Sequence, residues 1–119
     1  MTVMDDFIRE YGQYVVTSFG RLFPIVIVQG EGLYLTDLEG RKYLDFWAGI
    51  ATANAGHNNP AVQRAVKEQM EKLVHCASHS YYTLPVLELA KRLGKAAPFN
   101  PCKSSFHTSG SEANDVAIK

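Results

Sequence analysis

A chain of 119 residues has the length of one domain, and a hydrophobic content of 46% is enough for a core. Twelve basic and twelve acidic side chains cancel, which leaves no basic field for nucleic acid or an anionic membrane surface. The longest apolar run, Phe23 to Val28, is far too short to cross a bilayer. Cys76 and Cys102 stand far apart without cysteine neighbours, as thiols of a reducing compartment rather than a disulfide framework. The opening Met-Thr-Val-Met-Asp-Asp has neither a basic n-region nor the Arg and Ser of a transit peptide, so a cytoplasmic location is expected.

Residues 4–14 place Met4, Phe7, Ile8 and Tyr11 on one face, with Asp5 and Asp6 in the first turn, and predict a short amphipathic helix. Residues 23–28 are β-rich. Gly30 and Gly32 mark a turn, Leu33-Tyr34-Leu35 resumes a strand, Leu38 to Arg41 turns again, and Tyr43 to Phe46 returns. This pattern predicts an antiparallel meander. Gly49 to Asn59 is small and polar, suited to close backbone approach rather than to a packed element.

A helix follows over 60–74, capped by Asn58 or Asn59, with Pro60 at its first position. Val62, Val66, Met70 and Leu73 form its expected buried stripe, and Arg64–Glu68, Lys67–Glu71 and Glu68–Lys72 can pair on its wet face. His75 to Tyr82 is irregular, polar and aromatic. Thr83 and Pro85 then open another helix, with Val86, Leu89, Ala90 and Leu93 on one face. Pro98-Phe99-Asn100-Pro101 is a breaker and an expected boundary.

The last stretch, Phe106 to Val116, reads as a short strand, a tight glycine turn and a helix start. The first helical N–H groups lack partners within the helix and sit at the positive end of the macrodipole, so this geometry suits an anion such as a phosphate. Gly110 lets the backbone approach it, and Ser109 and Glu112 have capping-box spacing. The competing reading of the same residues is a plain serine cap after a turn.

Other candidates read more plainly. His57, His75, His79 and Cys76 match no finger or zincin spacing, so no metal site is expected. Phe46, Trp47, Tyr81 and Tyr82 suit a core or a subunit interface better than a ligand cage. Gly49 to Gly56 lacks the order of a dinucleotide fingerprint. A nucleophilic Ser109 or Ser111 would need a positioned base, and nearness in sequence does not place His107 as one.

Several of these pieces, in this order, resemble the N-terminal part of class-III aminotransferases, the fold-type-I pyridoxal-phosphate enzymes. Gly30 to Phe46 is similar to the family's early hairpin. Ala48-Gly49-Ile50, Gly56-His57 and Pro60 resemble its active-site entrance loop and the helix after it. His75, Pro85 and Leu89-Ala90 fall in the family's order, and Ser109 to Asn114 resembles its phosphate loop. The resemblance implies an α/β fold of which this chain holds an α+β part of the small domain, residues 1–100, and the start of the large domain, residues 101–119.

It implies pyridoxal 5′-phosphate as cofactor, gripped by Gly110 and Ser111 with Ser109 beside them. It implies Ile50 as an apolar wall of the substrate entrance, and His79 near the active site where some relatives carry glutamine. It also implies an amino donor and a 2-oxo acid acceptor, and a homodimer. The family's Schiff-base lysine, pyridine-nitrogen aspartate and ring-stacking aromatic lie later in its chain, so no catalytic residue is expected here. Lys119 follows the loop by only about two helical turns and reads as a solvated cation; Asp115 reads as an acid favoured by the helix dipole. The chain is therefore expected to be the N-terminal portion of a longer enzyme, inactive and loosely folded or self-associating by itself. The alternatives are an inactive fragment or remnant, and a same-fold aminomutase or decarboxylase.

Overall fold

The computed structural model describes residues 2–16, 18, 20–99 and 101–119. They fall into two compact units, Met1–Lys72 and Leu73–Lys119.

The first unit begins with α1 (Val3–Tyr14). A reciprocal capping box starts it: the Thr2 hydroxyl accepts from Asp5 N at 3.1 Å, and the Asp5 carboxylate accepts from Thr2 N at 2.8 Å. The expected helix is thus present. Its cap is written in the sequence as Thr-x-x-Asp, an acidic variant of the usual motif. Met4 is buried, while Phe7, Ile8 and Tyr11 on the same face keep substantial exposure. Arg21 donates to the Tyr11 hydroxyl at 3.1 Å and lies 5.5 Å above its ring.

The meander forms as an antiparallel sheet in the order β1-β2-β3, from β1 (Ile27–Glu31), β2 (Tyr34–Asp37) and β3 (Lys42–Leu44). Glu31 faces Tyr34 across a two-residue turn in which Gly32 takes a φ of 55°, a value that glycine adopts without strain. The strands are displaced from their sequence-predicted limits. Pro24 has no N–H to give a ladder, so pairing begins later, with Leu38 N donating to the Val26 carbonyl at 2.8 Å. The third strand ends at Leu44; Asp45 N still donates to the Leu33 carbonyl at 2.9 Å, and its carboxylate turns to the loop ahead of it.

Asp37, at the end of β2, is buried, with 1% of its surface exposed. One carboxylate oxygen accepts from Glu39 N at 2.9 Å and Arg41 N at 2.8 Å. The other accepts from Arg41 Nε and the Tyr43 hydroxyl, each at 2.8 Å. One side chain therefore shapes the β2–β3 turn and ties both strands together.

Asn59 caps α3 (Pro60–Met70), accepting from Ala61 N at 2.9 Å and Val62 N at 3.3 Å. The helix is shorter than its apolar stripe suggested: Lys72 N bonds back three residues to Gln69 O, tightening the chain out of α geometry. Val62, Val66 and Met70 are exposed rather than buried. Among the described residues, none of the three expected surface pairs on this helix forms an ion pair.

The second unit holds α4 (Leu84–Ala96), with Thr83 at its N-cap and Pro85 in its first turn, and α5 (Gly110–Ile118). The strand expected before Gly110 does not form, because among the described residues no neighbouring strand supplies ladder partners. Cys102 instead rests against α4, its thiol 3.8 Å from the Gly94 carbonyl. Asn100 of the expected breaker lies outside the described residues. Phe46, Trp47, Tyr81 and Tyr82 are exposed and build no core within either unit.

Burial works to raise the Asp37 pKa, but the bonds from Arg41, Tyr43 and Glu39 outweigh it and hold the group at about 2. A folded pKa below the unfolded value of about 3.9 gives stability that is fully present above the unfolded value and is lost as pH falls through the folded one. The Asp37 carboxyl resonance should thus titrate with a midpoint of about 2, and acid should erode stability between about pH 4 and pH 2. Asp37→Asn should be less stable at neutral pH and lose this part of the acid dependence. A carboxyl midpoint near the ordinary value would contradict the assignment.

Candidate functional site

The start of α5 is built around Ser109. Its backbone is extended, its hydroxyl accepts from Glu112 N at 3.2 Å, and its carbonyl accepts from Ala113 N at 3.1 Å. Glu112 reaches one residue further back than a capping box would take it. Its carboxylate accepts from Thr108 N at 2.9 Å and from the Thr108 hydroxyl. Those bonds, the hydroxyl's first, hold the Glu112 pKa below the ordinary range.

The N–H groups of Gly110 and Ser111 then have no acceptor among the described residues. Gly110 is not at positive φ, and a Cβ built on it would meet nothing within 4 Å. Glycine is therefore not required here by the turn itself. Two free donors and the Ser111 hydroxyl stand on open ground at the positive end of a helix dipole, and this donor set fits a phosphate.

The neighbouring side chains are otherwise engaged. His107 Nε2 lies 2.7 Å from the Ser105 hydroxyl, not from Ser109 or Ser111. Lys119 pairs with Asp115 one turn earlier at 2.6 Å, the exposed helix-surface cation that was expected. His79 is exposed, in the turn closed by Ser80 N and Tyr81 N donating to the Ala77 carbonyl. No hydrogen bond joins His79 to the start of α5 among the described residues.

Ile50 lies in the first unit, within the single helical turn α2 (Ala48–Ala51). Ala48, Gly49, Ile50 and Ala51 have φ values of 49°, 58°, 58° and 62°. A left-handed turn costs about 1–2 kcal/mol for each non-glycine residue, and a β-branched residue is a pronounced outlier there. Local bonds hold it. Asp45 Oδ1 accepts from Trp47 N at 2.9 Å and Ala48 N at 3.0 Å, the Thr52 hydroxyl donates to the Gly49 carbonyl at 2.7 Å, and Ala53 N donates to the Ala48 carbonyl at 2.8 Å. A Cβ on Gly49 would sit 2.8 Å from the Thr52 hydroxyl.

Asp45 Oδ2 lies 2.7 Å from His57 Nε2, and the pair is largely buried. The His57 bond, then those from Ala48 and Trp47 against opposing burial, depresses the Asp45 pKa. The His57 backbone exchanges two hydrogen bonds with Gly32, at 3.0 and 2.8 Å. Sequence reasoning placed His57 in the small, polar stretch Gly49 to Asn59 and missed this pair. The available signal was an acid closing a strand and a histidine returning after a loop of small residues. Beside the loop, Val62, Val66 and Met70 line an open groove of about 520 Å³ with Thr52 and Ala53.

The first unit holds a hairpin and a loop joined to it by the Asp45–His57 pair, and the second holds a helix start with two unpaired N–H groups. Both belong to one kind of protein. The class-III aminotransferase family profile matches residues 16–119, and the chain belongs to that family. Acetylornithine aminotransferase of Methanocaldococcus jannaschii is 45% identical over 107 residues, covering 90% of this chain and 26% of its own. A leucine/methionine racemase of Thermococcus litoralis is 39% identical over 114 residues, covering 88% of this chain and 26% of its own. The crystal structure of acetylornithine aminotransferase from Elizabethkingia anophelis superimposes with a TM-score of 0.87 at 28% identity, over 100% of this chain and 30% of that one. The chain thus spans about a quarter of the length of the curated relatives it matches, as an N-terminal portion. Among the described residues, no helix is long and apolar enough to cross a membrane.

Because Ile50 is 78% exposed, replacing it by glycine removes strain and little burial. Ile50→Gly should stabilise the unit by about 0.5–1 kcal/mol, the relief of left-handed strain less the added freedom of glycine when unfolded. Gly49→Ala should destabilise it. Urea denaturation of the two variants checks both signs.

Proposed function

We propose that the chain is the N-terminal part of a pyridoxal 5′-phosphate-dependent aminotransferase that moves an amino group from an amine or amino acid to a 2-oxo acid. The observation that carries this is the pair of unpaired N–H groups at Gly110 and Ser111, in the segment that resembles the family's phosphate loop. These N–H groups and the Ser111 hydroxyl would hold the phosphate, while Ser109 fixes the helix start. Ile50 would wall the substrate entrance, and His79 would lie on the substrate side. The cofactor, when bound, supplies the electron sink for chemistry at the amine-bearing carbon. In the whole protein the small domain would include residues 1–100 and the large domain would start at 101–119. The lysine that bonds the cofactor would come from a later part of the family's chain, so residues 1–119 alone would be inactive.

The exposed Phe46, Trp47, Tyr81 and Tyr82 support burial in a homodimer of the type usual in this family. The two unpaired thiols support a reducing compartment such as the cytoplasm. A second reading keeps the cofactor and changes the reaction. The relative named as a racemase supports it, and product analysis separates the two: amino transfer consumes a 2-oxo acid, whereas inversion does not.

Absorbance of the full-length protein loaded with cofactor should shift on adding an amino donor; no shift across a broad donor panel would overturn the reaction. Cofactor titration tests the loop. Ser111→Ala should weaken binding about ten- to hundredfold, the worth of a hydrogen bond to a charged group. Gly110→Val should weaken it more, because its side chain would stand where the phosphate sits. A plain serine cap predicts instead that Ser109→Ala lowers helix stability by about 1 kcal/mol while cofactor affinity barely moves in any variant.

A further inference from the structure

The loop after β3 holds its least favourable backbone where it gains least from packing. Ile50 has a left-handed φ of 58° and an exposed side chain. Strained residues persist only where their surroundings over-determine them, and such strain gathers at ligand sites. Here the over-determination converges on His57 from three sides. Its backbone is laddered to Gly32 at 3.0 and 2.8 Å. Its Cβ and ring lie against the bare Cα of Gly30, where an added Cβ would come within 2.9 Å. Its Nε2 lies 2.7 Å from Asp45 Oδ2. Asp45 Oδ1 in turn holds the Trp47 and Ala48 N–H groups that lead into the turn.

We infer that Asp45 and His57 are a positioning pair, which fixes the left-handed turn against the hairpin so that Ile50 stands as a rigid apolar wall for the carbon chain of the amine substrate. Neither residue touches the reacting atoms. The wall rests on the proposed aminotransferase reading, while the latch rests on geometry alone. Gly30 is part of the device, because only a residue without a Cβ lets the imidazole lie where it reaches Asp45.

Hydrogen exchange by mass spectrometry on the full-length protein tests the latch, and steady-state kinetics test the wall. His57→Ala and Gly30→Ala should each speed exchange in peptides over 46–53 by about tenfold or more, the worth of one charge-assisted bond, while peptides over 34–37 stay protected. His57→Gln, which keeps an N–H donor, should restore much of the protection. In the enzyme, His57→Ala should raise KM for an amine with an aliphatic chain by the same factor as Ile50→Ala, with kcat little changed. The double variant should be no worse than either single one, since both remove the same contact. Unchanged exchange over 46–53, or equal acceleration throughout the unit, would overturn the positioning pair. So would faster exchange with KM unmoved. Failure of the reaction reading shows separately, as a wild-type protein that transfers nothing to any 2-oxo acid while the exchange pattern holds.

Discussion

The Asp45 carboxylate is the point on which the first unit's loop depends. Its two oxygens face in different directions: one gathers the N–H groups of Trp47 and Ala48, and the other meets His57. A strand end, a strained turn and a returning loop are joined through a single side chain. An asparagine could keep the Trp47 and Ala48 bonds through its Oδ1, but would meet His57 only as a neutral donor, without the charge that strengthens the native bond. Its low pKa follows from the same bonds, so it is ionised wherever the protein is folded near neutrality. Loop geometry and the charge state of Asp45 are therefore one property.

Asp37 repeats the device one hairpin earlier, with four donors on one buried carboxylate. The unit is organised by saturated acids more than by an apolar core. Met4 is its buried hydrophobic side chain among the described residues, and large apolar groups on α3 and around Trp47 remain in water. Saturated hydrogen-bond networks specify local geometry well, because each unpaired donor or acceptor would be costly once buried. They contribute less to cohesion than apolar burial does. Uncovered faces of this kind fit a chain that spans about a quarter of its relatives.

Elements whose causes are local were legible in the sequence. Acids at the start and apolar spacing gave α1, glycine turns gave the meander, and Asn59-Pro60 gave the start of α3. Ser109 gave the start of α5. Features that need a distant partner were not legible. The strand expected before Gly110 requires a neighbour to pair with. The stripe of α3 looks like core from its period alone, but the period cannot say whether anything covers it. The left-handed φ of Ile50 contradicts its own preference and follows from bonds that only the folded loop brings together. Likewise, the Asp45–His57 pair spans twelve positions and depends on Gly30 being bare.

Three glycines show how local and ligand demands can be told apart. Gly49 answers a conformational demand: its φ is 58°, and a Cβ would strike the Thr52 hydroxyl. Gly30 answers a steric demand, made by His57. Gly110 answers neither, since its φ is not positive and its surroundings are open. Glycine inside a helix costs about 1 kcal/mol relative to alanine, though less at the first turn. With no internal demand to meet, glycine here leaves the helix start open to solvent. The unpaired N–H groups of Gly110 and Ser111 stand there, at the positive end of the helix dipole. The bare Cα and the free donors together support the proposed phosphate site.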